Sequence, residues 1–170
     1  RRILQPVKDQ ADYIIDTSNL QPLQLREEII HLFLEGKTFT GLIVNVESFG
    51  FKYGIPIDCD LVFDVRFIPN PYYVPELKPK TGMDKEVSDY VMSFSETKIF
   101  LNKLVDMINF LIPYYVKEGK SQLVVGIGCA GGRHRSVTIA NELFLRLKKK
   151  DVSTVIKHRD IDLDSKGVIL

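Results

Sequence analysis

The sequence predicts an α/β fold: a mostly parallel sheet flanked by helices, with an anion site where a strand meets a glycine-rich loop and a helix. Segments with helical spacing of apolar residues alternate with short, β-branched apolar segments along the 170-residue chain. Such alternation is typical of βαβ units. The composition, 45% hydrophobic and 26% charged, is that of a globular domain and excludes a disordered tail, a collagen-like repeat and a coiled coil.

The first half of the chain is predicted to contain three strands and one helix. Residues 11–16 are expected to form a short strand. Between Pro22 and Gly36 the apolar residues recur every three or four positions, which predicts a helix. Residues 39–46 are β-branched and apolar and predict a buried strand, and 61–67 predict another. Residues 48–56, between these two strands, are expected to form an ordered loop.

The second half begins with a long connection and ends in a helix and a strand. Residues 68–83 contain four prolines and are expected to form an ordered irregular connection. Helical spacing over 84–112 predicts a helix in two pieces that ends at Pro113. A strand over 121–128, a helix over 135–149 and a strand over 152–156 follow. The predicted buried faces of these helices consist of Phe100, Leu104, Met107, Ile108 and Leu111, and of Val137, Ala140, Phe144 and Leu147.

Charge and cysteine content limit the class of protein. With 23 basic and 22 acidic residues the net charge is +1, which argues against a basic surface that grips nucleic acid everywhere but allows a local patch. Two cysteines are too few for a secreted disulfide framework and suit a reducing cytoplasm. No apolar run approaches 18 residues, so no membrane span is expected. No residues have the spacing of a metal site.

The strongest chemical signal is the segment from Gly126 to Ser136. An apolar strand enters a glycine-rich turn and a helix follows, so backbone N–H groups and the helix dipole favour an anion there. Gly131 and Gly132 are expected to supply backbone donors, and Arg133, His134 and Arg135 positive charge. The ligand class that this pattern favours is a phosphate. The alternative is a tight turn whose basic side chains are only solvated.

Two further motifs overlap this segment. Cys129 and Arg135 have five residues between them, and Ser136 follows. This is the Cys-x5-Arg pattern of cysteine-dependent phosphatases. That chemistry needs a general acid, for which Asp58, Asp60 and Asp64 are candidates; the alternative is a buried structural cysteine. The three glycines at 126, 128 and 131 also match a dinucleotide fingerprint, but too few residues follow for that fold. No Walker A loop is present.

Several residues elsewhere are weaker candidates for ligand or RNA binding. Lys52 and Arg66 could reach the same ligand, and Tyr72 could stack on it, although surface or packing roles are alternatives. A basic patch near the C-terminus could contact nucleic acid, or be a solvated helix end. The residues of this patch are Lys148, Lys149, Lys150, Lys157 and Arg159.

Four segments together resemble a known family. They are Ser48-Phe-Gly-Phe-Lys-Tyr-Gly-Ile-Pro56, Phe63-Asp-Val-Arg-Phe-Ile-Pro-Asn-Pro71, Thr81-Gly82 and Gly128-Cys-Ala-Gly-Gly-Arg-His-Arg-Ser136. With them the chain closely resembles, from about Ala11 to about Arg159, the C-terminal half of the RapZ/YvcJ family of bacterial RNase adapter and nucleotide-binding proteins. The resemblance implies that residues 1–20 are the end of, or linker from, an N-terminal domain that binds and hydrolyses ATP or GTP. Residues 21–170 would be a C-terminal phosphate- or metabolite-binding domain without a cofactor of its own.

The resemblance also implies a function and a pocket. The domain would sense an amino-sugar phosphate and link it to RNA and to an RNase or other regulatory protein, in a cytoplasmic homo-oligomer. The pocket would include Ala130, Gly131, His134 and Arg135, with Lys52 and Arg66 nearby. The chain departs from the family pattern at Ala130, where a threonine is usual, and at Tyr72, where a histidine is usual.

The tail is a third departure, because it carries Asp160, Asp162 and Asp164 where RNA-binding members have a basic run. Three carboxylates would repel RNA phosphates. The sequence therefore predicts a regulatory binding domain for a phosphorylated metabolite, with no catalytic residue of its own. A phosphatase that uses Cys129 and Arg135 is the alternative.

Overall fold

A computed structural model describes residues 42–150 and 152–163, together with scattered positions before residue 30. The chain divides into two compact units, Arg1–Phe39 and Thr40–Leu170. All elements below belong to the second unit. The strand predicted over 11–16 and the helix predicted between Pro22 and Gly36 fall mostly outside the described residues.

Four parallel strands and three helices make up the described part of the second unit. The strands are β1 (Ile43–Gly50), β2 (Leu61–Asp64), β3 (Gln122–Cys129) and β4 (Thr154–His158), and the helices are α1 (Lys85–Ser93), α2 (Ser95–Lys117) and α3 (Arg135–Lys148). The strand order is β2-β3-β1-β4 and every pairing is parallel. The α/β class with a parallel sheet and flanking helices is therefore confirmed.

The central strands are buried because their residues are nearly all apolar. Seven of the eight residues of β3 are buried, as is typical of an inner strand of a parallel sheet. Helix α3 packs on β1, β3 and β4, and α2 packs on α3. Removal of these apolar side chains from water, at roughly 25 cal/mol per Å², is the main stabilising contribution.

Three strand ends differ from the prediction. Strand β1 continues past residue 46 to Gly50, because its backbone pairs with β3 as far as Cys129. Strand β4 continues to His158, which pairs with Ser48 of β1, and the Ser48 hydroxyl and the His158 ring nitrogen Nδ1 bond at 2.8 Å. Strand β2 ends at Asp64 rather than at residue 67, because the Asp64 carboxylate accepts from the Arg66 backbone N–H and closes a turn.

Helix α2 does not end at Pro113, which lies inside it. Pro113 is exposed, while Ile112 and Tyr115 beside it pack against the core, so the helix tolerates the missing backbone donor and continues to Lys117. The predicted apolar face is also partly wrong. Met107 is exposed, and Leu101, Val105 and Ile112 are among the residues buried instead.

Helix α3 matches its predicted range, but Leu143 rather than Phe144 is fully buried. Phe144 lies half-buried beneath the Lys148 ammonium. Among the described helices, only α2 is long and apolar enough to cross a membrane, with a mean hydropathy of 1.2. Six of its residues are buried in the protein core. A core helix of a globular domain can have the same length and apolar composition.

Candidate functional site

The site lies at the edge of the sheet where all four strands have their carboxyl ends. In open parallel sheets ligands bind at this edge, near the point where successive connections leave in opposite directions. Here β3 lies between β1 and β2, and the chain then crosses to β4 on the other side of β1. Residues 51–53 after β1, the connection over residues 65–84 after β2, and the glycine-rich loop (residues 130–134) after β3 meet at this edge.

The glycine-rich loop is seated directly on the end of β1. Gly132 has φ +76°, and a Cβ built there would lie 2.6 Å from the backbone nitrogen of Gly50. Only glycine combines this conformation with so close an approach. The Gly50 N–H donates to the Asp160 carboxylate at 2.7 Å, and the Lys52 N–H donates to the Ala130 carbonyl at 3.2 Å. The loop is therefore held in one conformation by the segments that follow β1 and β4.

The loop opens into a cavity of about 860 Å³. Its lining includes four cationic side chains and one histidine, and no carboxylate from the described residues. The lining residues are Lys52, Asn70, Tyr72, Lys78, Pro79, Cys129, Ala130, Gly131, Arg133, His134 and Arg135. Because the N-terminus of α3 also lies here, backbone dipole and side-chain charge have the same sign at the cavity wall. The arrangement favours an anion.

Arg133 and Arg135 both line the cavity, but their guanidinium groups donate several hydrogen bonds to backbone carbonyls. Arg133 donates to the carbonyls of Pro79, Lys80 and Ile161. Arg135 donates from one terminal nitrogen to the carbonyls of Arg66 (3.0 Å) and Ile68 (2.8 Å). The two arginines thus hold the 65–84 connection over the loop while their charges remain at the cavity wall.

Two buried polar atoms at the cavity have no partner. They are Nε of Arg135 and Nε2 of His134, in side chains only 6% and 7% exposed. Burial of such atoms without a hydrogen bond costs about 1–3 kcal/mol each. Both atoms belong to residues that line the cavity, so an anion bound there would lie close to them.

The imidazole of His134 is held in its neutral form by its surroundings. Burial lowers its pKa below the ordinary 6.5, and the charge of Arg133 lowers it further. The backbone carbonyls of Leu77, Lys78 and Lys80 face the ring and partly oppose this shift, although none reaches Nε2 with hydrogen-bond geometry.

Cys129 is packed at the base of the cavity. It is 3% exposed, its sulfur lies 3.2 Å from the Ser136 hydroxyl, and it accepts from the Gly132 N–H at 3.3 Å. The candidate acids for phosphatase chemistry are elsewhere. Asp58 and Asp60 precede β2, at the opposite edge of the sheet. Asp64 is bound bidentately by Arg66, which lowers the pKa of this carboxyl, so it is poorly suited to donate a proton.

Not every predicted site residue reaches the cavity wall. Arg66, Gly132 and Ser136 do not line it: Arg66 stacks on Phe51 and pairs with Asp64, whereas Gly132 and Ser136 lie behind the loop. Tyr72 lines it with a ring that is 49% exposed and lies beneath the ammonium of Lys78. Lys78 and Asn70 also line the cavity, although no sequence pattern predicted them. They lie in an irregular connection, where no periodicity shows which side chains turn inward.

The predicted basic patch is not one surface. Helix α3 runs back from the site, so Lys148–Lys150 lie at the amino edge of the strands, while Lys157 and Arg159 lie most of a strand length away at the carboxyl edge. Lys157 pairs with Glu47, and Arg159 pairs with Asp160. Asp160 is 2% exposed and accepts from the Gly50 backbone N–H, so it is not an exposed tail carboxylate.

The described part of the chain is thus a parallel α/β domain with a cationic cavity at the carboxyl edge of its sheet. Residues 42–162 match the family model described as the RapZ C-terminal domain. The chain belongs to this family, as its sequence motifs indicate.

Full-length relatives agree with this assignment. The chain is 62% identical over 167 residues to a protein of Acetivibrio thermocellus named nucleotide-binding protein, with 98% of the chain and 57% of the relative covered. A protein of the same name in Ruminiclostridium cellulolyticum is 62% identical over 168 residues, with 99% and 58% covered. One in Clostridium novyi is 60% identical over 167 residues, with 98% and 57% covered. The chain spans about half the length of these curated relatives.

Proposed function

We propose that this domain is a regulatory module that binds a phosphorylated small molecule, of the amino-sugar phosphate class, in the cavity beside the glycine-rich loop. The observation that carries the proposal is the charge of the wall: four cations, two buried nitrogens without partners, and no carboxylate from the described residues. A neutral ligand would leave this charge unbalanced, whereas a phosphate dianion would offset it.

The size of the cavity supports a ligand larger than a single anion. At about 860 Å³ it is within the range of small-molecule sites and leaves room for a sugar beside the phosphate. The Asn70 amide and the exposed ring of Tyr72 give the wall polar and flat surfaces of the kind that hold a sugar. Family membership supports the amino-sugar class.

Binding is a better proposal than phosphatase catalysis by Cys129. A thiolate attack on phosphorus needs an acid that delivers a proton to the leaving group. Among the described residues no carboxylate lines the cavity, and Arg135 donates to carbonyls of the 65–84 connection rather than to the sulfur. The packed thiol of Cys129 is therefore assigned a structural role.

The domain would act within a larger cytoplasmic protein that contains a nucleotide-hydrolysing domain for ATP or GTP. The relatives' printed name, nucleotide-binding protein, and their greater length support this. Ligand binding would control contacts with RNA and with an RNase or other regulatory protein, and the protein would form homo-oligomers. Lys148–Lys150 provide an exposed cationic surface for an RNA contact, away from the cavity.

Calorimetric titration tests the ligand class. The 170-residue chain is titrated with inorganic phosphate, glucosamine 6-phosphate, ATP and GTP. We expect selective binding of the sugar phosphate, weakened at least about tenfold in His134→Ala and in Lys78→Gln, since a hydrogen bond to a charged group contributes about 1.5–3 kcal/mol. Arg135→Ala should also abolish binding, but it removes bonds that hold the 65–84 connection as well.

Lys85→Ala is the matched control, because Lys85 is an exposed cation on α1 that pairs with Asp89 and does not line the cavity. It should bind the sugar phosphate like the unmodified chain. Binding that is equal for all four anions, or equally weakened by Lys85→Ala, would mean that the cavity is only a general anion site.

A further inference from the structure

The His134 ring combines burial with an unused nitrogen at the cavity wall. The side chain is 7% exposed, Nε2 has no hydrogen-bond partner, and the ring lies among the cavity-lining residues. His134 is also the residue that immediately precedes α3, where the helix dipole attracts negative charge. A phosphate bound at this end of α3 would therefore lie beside the His134 ring.

The charged side chains around the ring disfavour its protonated form, whereas the backbone carbonyls of Leu77, Lys78 and Lys80 partly favour it. Arg133 and Arg135 flank it on the loop, Lys52 faces the cavity from the segment after β1, and Lys78 faces it from the 65–84 connection. The wall also carries the Cys129 thiol and the Tyr72 phenol.

Carboxylates nearby are committed to other partners. Asp160, behind the loop, is bound by Arg159 and Gly50. Asp84, at the start of α1, accepts from the Thr81 N–H and hydroxyl. No carboxylate is among the causes that shift the ring's pKa, and burial followed by Arg133 keeps that pKa low.

We propose that His134 takes up one proton from solvent when the cavity binds a phosphate monoester, so that the complex holds an imidazolium against the phosphate dianion. This inference rests on the proposed function and adds a property of the site: ligand binding is coupled to pH. A dianion within about 4–6 Å of the ring raises the pKa of His134, because an opposite charge favours the protonated form. In the protonated ring both nitrogens carry a hydrogen, so Nε2 can donate to a phosphate oxygen whichever tautomer the neutral ring adopts.

The sign of the coupling follows from the two states. Without ligand the ring is neutral at pH 7 and takes a proton only below its ordinary pKa. With ligand the protonated ring persists to higher pH, so binding consumes a proton between these two pKa values. The affinity therefore rises as pH falls through this interval, by up to about tenfold per pH unit. Below about pH 6 the monoester itself gains a proton, and the trend ends.

An NMR pH titration tests the proposal on the 170-residue chain. The ring resonances of its three histidines are followed without ligand and with saturating glucosamine 6-phosphate, and His134 is assigned with His134→Asn. We expect the ligand to raise the pKa of His134 by at least about one unit. If the His134 resonance is too broad to follow, the Kd for glucosamine 6-phosphate is measured at pH 6.5 and at pH 8.0 instead. This Kd should depend on pH in the unmodified chain and much less in His134→Asn.

His158 is the internal control for this titration. Its ring is half-buried, bonded to the Ser48 hydroxyl and outside the cavity, so its pKa should not change with ligand. If the sugar phosphate binds and the pKa of His134 is unchanged or falls, the proton uptake is refuted and the proposed function stands. If no phosphate ester binds at all, the proposed function fails, and this inference with it.

Discussion

Replacement of Gly132 by alanine tests how the glycine-rich loop is held on the end of β1. Two costs are added together. A φ of +76° costs an L-residue about 1–2 kcal/mol. The new Cβ would lie 2.6 Å from the Gly50 nitrogen and 2.9 Å from Cβ of Asp160, and overpacking of this kind costs about 1–3 kcal/mol. We expect the free energy of unfolding of Gly132→Ala to fall by about 3 kcal/mol.

Gly54→Ala measures a conformational cost without a clash. Gly54 has φ +83° and ψ 158°, a backbone region that is almost restricted to glycine, but a Cβ there has no neighbour within 4 Å. This variant should therefore lose only a conformational contribution, about 1–3 kcal/mol. The assay is urea unfolding of both variants and the unmodified chain, with equal m-values as the check on two-state behaviour. A loss of no more than about 1 kcal/mol in Gly132→Ala would refute the close contact between the loop and β1.

Three further changes test other parts of the structure. Asp160→Ala leaves the buried Gly50 N–H without an acceptor, so urea unfolding should show a loss of about 2 kcal/mol; no loss would mean that this bond does not hold the loop. Arg66 lowers the pKa of Asp64, so this carboxylate stabilises the fold above pH 4 and less as pH falls, and Asp64→Asn should flatten the acid limb of stability against pH. An unchanged acid limb would contradict the pairing. Cys129→Ser should bind glucosamine 6-phosphate within about threefold of the unmodified chain by calorimetry, because a hydroxyl can also accept from a backbone N–H; phosphate-ester hydrolysis that disappears in this variant would instead establish the phosphatase.

Much of the fold could be predicted because it depends on local patterns. The apolar run of β3, the glycines after it and the helical spacing after residue 135 each specify an element without knowledge of the rest. Element ends were less predictable, since they depend on distant partners. Ser48 and His158 pair near the ends of β1 and β4, and nothing near either residue in the sequence shows that they meet.

The site shows the same division. The prediction of an anion site in the glycine-rich loop depends on residues that are adjacent in sequence, and the structure brings Arg133, His134 and Arg135 to one cavity. The sequence could not show that both arginines also bind carbonyls of the 65–84 connection, or that Lys78 completes the wall. These depend on how a segment without periodicity crosses the end of the sheet. The separation of Lys148–Lys150 from the carboxyl edge likewise follows from topology.

A crystal structure of the domain with glucosamine 6-phosphate tests the central claim most directly. The account predicts the phosphate within hydrogen-bond distance of Nε2 of His134 and of the N–H groups of the glycine-rich loop, with the sugar toward Asn70 and Tyr72. A phosphate bound away from this loop, or a cavity that stays empty at a ligand concentration where calorimetry shows saturation, would contradict it.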